Sequence, residues 1–128
     1  RSSAASDVYK RQLEPTVIEV SSNNCLLNQE EIFGPVVTLM PFKNATKVLE
    51  IANDVKYGLS ATVWTNNLKR SMYFSEHLEA GIIWINTWMQ RDLRTPFGGQ
   101  KASGIGREGG FEVLRFFTEA KNICINYE

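Results

Sequence analysis

The sequence predicts an α/β domain, and three observations predict it. Beyond Leu13, short β-branched or apolar runs alternate with segments of helical periodicity, the order that crossover connections produce. Ile82, Ile83, Trp84 and Ile85 form a continuous apolar run of the kind found in strands covered on both faces. The composition, 43% hydrophobic and 22% charged, is that of an ordinary globular protein rather than a disordered one, and 128 residues suit one domain.

Each element has a local reason. Pro15 precedes a β-branched stretch at 16–20, read as the first strand. Polar residues at 21–24 make a turn, and Gly34-Pro35 breaks the chain before a second strand at 36–42. Asn44 is placed to cap a helix, because its side-chain oxygen can accept from the first free backbone amides. Val48, Leu49, Ile51, Ala52 and Val55 then recur with helical spacing, and Gly58 is expected to end that helix as a residue tolerant of positive φ. A third strand is expected at 59–65. Asn66 or Asn67 then caps a helix carrying Leu68, Met72 and Leu78, which Gly81 closes before the strand at 82–85. From 86 to 110 the periodicity stops. This stretch holds six of the nine glycines, Pro96, and the cations Arg91, Arg94, Lys101 and Arg107, and it reads as a long loop of the kind that is usually functional. A short helix at 111–119 and a terminal strand at 122–127 complete the chain.

Charge and cysteine content narrow the function. Fourteen basic and fourteen acidic residues cancel, so no large positive field is available to attract nucleic acid or an anionic membrane. A small-molecule partner fits better. No apolar run approaches the roughly 20 residues of a membrane span and no secretory leader pattern opens the chain, which makes the cytoplasm the expected location. Cys25 and Cys124 are far apart, with no second pair at zinc-ligand spacing, and read as free thiols; no metal site is expected. The run SSAASDVYKRQ at 2–12 resembles the in-frame translation of a transposon-based sequencing adaptor. Residues 1–12 are therefore expected to be an artefact without fixed structure or function. Setting aside Arg1, Lys10, Arg11 and Asp7 leaves 11 basic and 13 acidic residues, net −2. The same reading implies that the sequence opens inside a gene whose N-terminal portion was lost.

Glu30-Glu31-Ile32-Phe33-Gly34-Pro35-Val36 resembles the EEIFGPV segment of aldehyde dehydrogenases. Three further blocks agree in order and spacing: Ile51-Ala52-Asn53 with Tyr57-Gly58-Leu59-Ser60-Ala61 and Val63-Trp64-Thr65, then Gly81 to Asn86, then Pro96-Phe97-Gly98-Gly99 with Lys101, Ser103 and Gly104. The resemblance covers 13–128. It implies the C-terminal part of the catalytic domain at 13–119, a mostly parallel sheet with crossover helices. It also implies an oligomerisation strand at 120–128, through which the full-length parent forms a homo-oligomer, dimer or tetramer.

What the resemblance implies for the site is specific. Glu31 would accept hydrogen bonds from the nicotinamide ribose hydroxyls, since a carboxylate offers acceptors to two adjacent hydroxyls. Phe33 would restrict the nicotinamide ring, and Phe97 would line the aldehyde tunnel, where apolar walls exclude water. NAD is the expected cofactor; NADP stays open, because the adenosine-ribose contacts belong to a domain outside this sequence. The family's nucleophilic cysteine forms a thiohemiacetal, and its glutamate is the general base in thioester hydrolysis. Both lie upstream of EEIFGPV, so no catalytic residue is assigned here, and neither Cys25 nor Cys124 matches the cysteine motif.

Other features read as structural. Gly104-Ile105-Gly106-Arg107-Glu108-Gly109 satisfies G-x-G-x-x-G literally but follows a polar loop rather than a strand, and it reads as a glycine-rich turn. His77 reads as a solvated residue on a helix surface. Asn44-Ala45-Thr46 matches a glycosylation acceptor, although a helix cap explains Asn44 better.

The loop at 86–96 lines the substrate entrance in the family, and here it carries Arg91 where members acting on apolar aldehydes present aromatic or apolar residues. With RDLRTPFGG, GIGREGG and the ICI of the last strand, the chain most resembles 2-aminomuconate and 2-hydroxymuconate semialdehyde dehydrogenases of aromatic-ring and tryptophan catabolism. Their substrates carry a carboxylate remote from the aldehyde, which an arginine fork can bind. Arg91 is the expected reader of that carboxylate and Arg94 an assistant. The alternatives are a dehydrogenase segment for a different aldehyde and a non-catalytic interaction module that keeps only the fold.

Overall fold

The computed structural model describes residues 12–128, which form two compact units, one ending at Val55 and the other spanning Lys56–Glu128. Apart from Gln12, the adaptor-like segment lies outside the described residues.

The first unit contains β1 (Thr16–Glu19), α1 (Leu26–Gln29), β2 (Val36–Leu39) and α2 (Ala45–Asn53). β1 and β2 pair in parallel, with Thr16 opposite Val36 and Glu19 opposite Leu39. Both strands alternate half-buried and exposed residues, the period of a sheet with one covered face. β2 stops short of the expected residue 42, and Pro41 supplies a reason because it has no N–H to donate to a ladder. The single turn α1 falls beyond the expected turn at 21–24; four residues are too few to show a helical period.

α2 starts as expected, with Asn44 Oδ1 accepting from the Lys47 N–H at 2.9 Å, and it buries Leu49. Its end corrects the sequence expectation. The helix stops at Asn53, well before Gly58, and amide side chains close it instead. Asn23 Nδ2 donates to the carbonyls of Ile51 (3.2 Å) and Asp54 (2.7 Å), and Gln29 Nε2 donates to Asp54 O at 2.9 Å. Carbonyls at a helix end need such partners, and side chains from the preceding turn provide them.

The second unit contains β3 (Tyr57–Gly58), β4 (Ser60–Val63), α3 (Leu68–His77), β5 (Ile82–Ile85), β6 (Gln100–Lys101) and α4 (Glu112–Phe117). β4, α3 and β5 form the expected crossover: the two strands are parallel, with Ser60 opposite Ile82 and Val63 opposite Ile85. Of the two candidate caps it is Asn67 whose side chain accepts from the Arg70 N–H, at 3.0 Å. Among the described residues β5 has one neighbouring strand; Trp84 is buried while Ile82, Ile83 and Ile85 are half-buried, less covered than the apolar run suggested.

Three further corrections concern this unit. α3 ends at His77, before Gly81, so Gly81 does not close it. Neither Gly58 nor Gly81 has a positive φ; each is needed for close approach, since a Cβ on Gly58 would overlap the carbonyl oxygen of Glu79 and one on Gly81 that of Gly98. The stretch at 86–110 is not wholly loop. β6 pairs antiparallel with β3, and Phe97 and Glu108 form an isolated antiparallel bridge. Residues 122–127, expected as a strand, have no regular structure in this chain; a strand exists only through its ladder partner, and among the described residues these have none. No helix among the described residues is long and apolar enough to cross a membrane.

Candidate functional site

In the first unit, Glu31 and Phe33 lie in the connection between α1 and β2. The Gly34 N–H donates to Ile32 O at 2.6 Å, a tight turn centred on Phe33, which is 96% exposed. Glu31 is also exposed. A carboxylate and an aromatic face, two residues apart, are thus both accessible to a ligand. Cys25 precedes α1, half-buried, and Cys124 is exposed; both are free thiols.

In the second unit the loop after β5 is anchored at both ends. Asn86 has φ +53°, a left-handed conformation that asparagine tolerates better than most residues. Its side chain imitates a strand: Oδ1 accepts from the Thr65 N–H and Nδ2 donates to Thr65 O, both at 2.8 Å, extending the β4–β5 ladder by one residue. Buried Trp84 donates through Nε1 to Gln90 O at 2.7 Å, so its one polar atom finds a partner and pins the loop to β5. Between these anchors Met89 holds φ +60°, a strained conformation for its type and one that clusters at functional sites.

Arg91 and Phe97 come together. The Arg91 guanidinium lies 4.0 Å from the Phe97 ring centroid and is ion-paired through Nη2 with Glu108 Oε1. A cation over an aromatic face is worth about 0.5 to 2 kcal/mol according to how far it is desolvated, and the Arg91 side chain is 32% exposed. Arg94 is not part of this group. It is 89% exposed and forks onto Asp92 through Nε at 2.9 Å and Nη2 at 2.6 Å. Asp92 therefore pairs with Arg94 and not with Arg91, the partner that adjacency in sequence suggests.

The Arg94 guanidinium, followed by the Arg94 backbone N–H, holds the Asp92 carboxyl below the usual aspartate range. The sign follows directly. A carboxylate depressed in the folded state contributes above the unfolded value and loses that contribution as pH falls through the folded one. In an NMR titration the Asp92 carboxyl is expected to protonate at lower pH than a free aspartate, and Arg94→Ala should move it back up; an unmoved midpoint would count against the fork.

The glycine-rich turn at 104–110 is no dinucleotide fingerprint: its glycines pack against the loop. Gly109 and Gly110 have φ +80° and +54°, and a Cβ on Gly109 would meet the carbonyl oxygens of Thr95 and Leu93 and one on Gly110 that of Arg94. The Gly110 N–H donates to Leu93 O at 3.3 Å. Lys101, in the same region, has φ +52° and pairs with Glu79 at 2.6 Å. His77 is exposed as expected, though its ring stacks on Tyr73 at 4.7 Å. Glu108 and Asn86 are the site residues that sequence reasoning missed. The available signal for Glu108 was an acidic residue between Arg107 and Gly109 in the glycine-rich stretch.

Comparison with known proteins bears on this arrangement. The model of the aldehyde dehydrogenase family matches residues 5–123. The chain is 50% identical over 116 residues to a 2-aminomuconic 6-semialdehyde dehydrogenase of Pseudomonas sp., covering 91% of this chain and 24% of that protein. It is 49% identical over 113 residues to a 2-hydroxymuconic semialdehyde dehydrogenase of Pseudomonas sp. strain CF600, covering 88% and 23%. Among solved structures it is similar to a Mycobacterium tuberculosis aldehyde dehydrogenase complexed with NAD+, with a TM-score of 0.79, 40% identity, and coverage of 85% of this chain and 22% of that one. The chain spans about a quarter of the length of the curated relatives it matches. With the family model matched over nearly its whole length, the chain belongs to the aldehyde dehydrogenase family.

Proposed function

We propose that this segment is the C-terminal part of an NAD(P)-dependent dehydrogenase that oxidises a carboxylate-bearing semialdehyde, of the 2-aminomuconate or 2-hydroxymuconate semialdehyde type, to the acid. The observation that carries the reading is the stack of Arg91 on Phe97: a fixed cation and an apolar wall occupy one place in the loop where the family's substrate enters. A neutral aliphatic aldehyde has no use for the cation. A semialdehyde with a remote carboxylate uses both, because the ring shields the guanidinium from water while its N–H edge stays available to an anion. Arg94, committed to Asp92, is at most an assistant.

The chain's own residues fit part of the cofactor. The exposed Glu31 carboxylate can accept from a ribose diol, and the exposed Phe33 ring offers a face to a nicotinamide. When bound, NAD or NADP supplies the hydride acceptor. Large apolar side chains left exposed, among them Phe33, Ile105, Ile123, Ile125 and Tyr127, support the reading of a segment completed by further polypeptide. We assign residues 13–119 to the catalytic domain and 120–128 to a strand donated to a neighbouring subunit of a cytoplasmic homo-oligomer.

The test uses the full-length enzyme that carries this segment. Its kcat/KM is expected to favour a carboxylate-bearing semialdehyde over an uncharged aldehyde of equal length, and equal values would defeat the reading. The isolated 128-residue polypeptide is expected to form no reduced nicotinamide from either substrate, since neither of its cysteines lies in the family's nucleophile motif. Activity that Cys25→Ala or Cys124→Ala abolished would overturn that assignment.

A further inference from the structure

Glu108 sits in the glycine-rich turn at 104–110, a stretch that neither cofactor binding nor the substrate wall requires. Three features converge on it. Its carboxylate is ion-paired with Arg91 Nη2. Its backbone is bridged to Phe97 in both directions, each N–H donating to the other's carbonyl at 2.7 Å. The Arg91 guanidinium lies over the ring of that same Phe97. Backbone bridge, ion pair and ring contact therefore close a three-residue cycle. The Glu108 side chain starts from a point held against Phe97, and its reach determines where the guanidinium rests. On the far side of Glu108, Gly109 and Gly110 press on the carbonyls of residues 93–95, so the turn and the arginine loop are seated on one another.

We propose that Glu108 is a positioning residue for substrate recognition, holding the Arg91 guanidinium on the Phe97 ring so that its remaining N–H groups can take a second carboxylate, the one borne by the substrate. This inference rests on the substrate class proposed above and deepens it. Arginine has five N–H donors in a planar fork, and the bond to Glu108 engages Nη2. With the plane of the fork set by the ring and its rotation by Glu108, the other donors have a defined direction. Without Glu108 the long side chain must be ordered at each binding event, a cost that appears in KM rather than in the chemical step. A simple charge-neutralising role makes the opposite prediction: removing a competing carboxylate would improve binding of an anionic substrate.

The experiment measures kcat and KM in the full-length enzyme for a carboxylate-bearing semialdehyde and an uncharged aldehyde of equal length. The enzymes compared are the parent, Glu108→Ala, Glu108→Gln, Arg91→Ala and the double variant Arg91→Ala with Glu108→Ala. Glu108→Ala is expected to raise KM for the carboxylate substrate roughly five- to tenfold, the scale of ordering one long side chain. The ratio of kcat/KM between the two substrates should fall by the same factor. Glu108→Gln is expected to restore most of that ratio, because its amide oxygen still accepts from Arg91. In the double variant, the Glu108 change should cost no specificity beyond that of Arg91→Ala. Should Glu108→Ala not yield soluble enzyme, Glu108→Asp keeps the charge, withdraws the contact and is expected to show the same loss. A ratio that is unchanged or increased in Glu108→Ala, a Glu108→Gln ratio no closer to the parent than that of Glu108→Ala, or a further loss in the double variant overturns the proposal. If Arg91→Ala lowers both substrates equally, the carboxylate reading itself fails; if Arg91→Ala is selective and Glu108→Ala is not, only the positioning role fails.

Discussion

Replacing Arg91 with alanine in the full-length enzyme is expected to lower kcat/KM for a carboxylate-bearing semialdehyde by roughly thirtyfold to several-thousandfold. Truncating one partner of a buried, hydrogen-bonded charge pair costs about 2 to 5 kcal/mol, and about 1.4 kcal/mol corresponds to tenfold. Two features of the loop set the position within that range. The Arg91 side chain is 32% exposed, so solvent screens part of its charge. It already faces the Glu108 carboxylate, so a substrate carboxylate meets a cation whose field is partly met. Both argue for the lower part of the range, near thirtyfold to a hundredfold. An uncharged aldehyde of equal length should lose only what the ring contact with Phe97 contributes, a few-fold. Steady-state kinetics on the two substrates decide the matter. Equal losses would mean that Arg91 supports the loop and does not read the substrate.

Gly81→Ala is expected to have the largest effect on stability, about 3 kcal/mol or more, with much of the protein insoluble. A Cβ at this position would overlap the carbonyl oxygen of Gly98, and that obstacle is backbone, which cannot rotate away as a flexible side chain can. The opposing strand of chain has little freedom of its own. A Cβ on Gly99 would stand 2.6 Å from the Ser103 carbonyl carbon, and the Arg107 guanidinium already donates to Gly99 O at 2.6 Å. Overpacking of this kind is relieved by backbone movement, and here the backbone that moves leads into Phe97. The soluble remainder should therefore lose activity toward charged and uncharged aldehydes alike, unlike Arg91→Ala. Thermal unfolding of the full-length enzyme measures the first effect, and a Gly81→Ala enzyme that melts with the parent would refute the close approach.

Several features were legible because their causes are local. Asn44 and Asn67 cap helices by accepting from the N–H three residues ahead, and a rule spanning three residues can be applied to a sequence directly. The β4–α3–β5 crossover was equally readable, since an apolar run, a capped periodic segment and a second apolar run leave few other arrangements. The resemblance singled out Glu31, Phe33 and Phe97 by motif and Arg91 by spacing, and the structure brings Arg91 onto the Phe97 ring.

What lay out of reach depended on which distant segments meet. Gly58 and Gly81 look like helix stops in sequence, and their actual neighbours, Glu79 and Gly98, become neighbours only when β3, β5 and β6 assemble. The end of α2 is closed by Asn23 and Gln29, more than twenty residues away, where a glycine rule pointed instead to Gly58. Asp92 stands next to Arg91 yet pairs with Arg94, two residues on, while Arg91 turns to Glu108, seventeen residues away. The sequence by itself determined the family, the β4–α3–β5 crossover and the helix caps at Asn44 and Asn67. Only the tertiary structure decided the partners of Arg91, Asp92 and the close-packed glycines, because an ion pair or a backbone contact forms according to distance in space, and helix periods and cap rules carry no information about distance between remote segments.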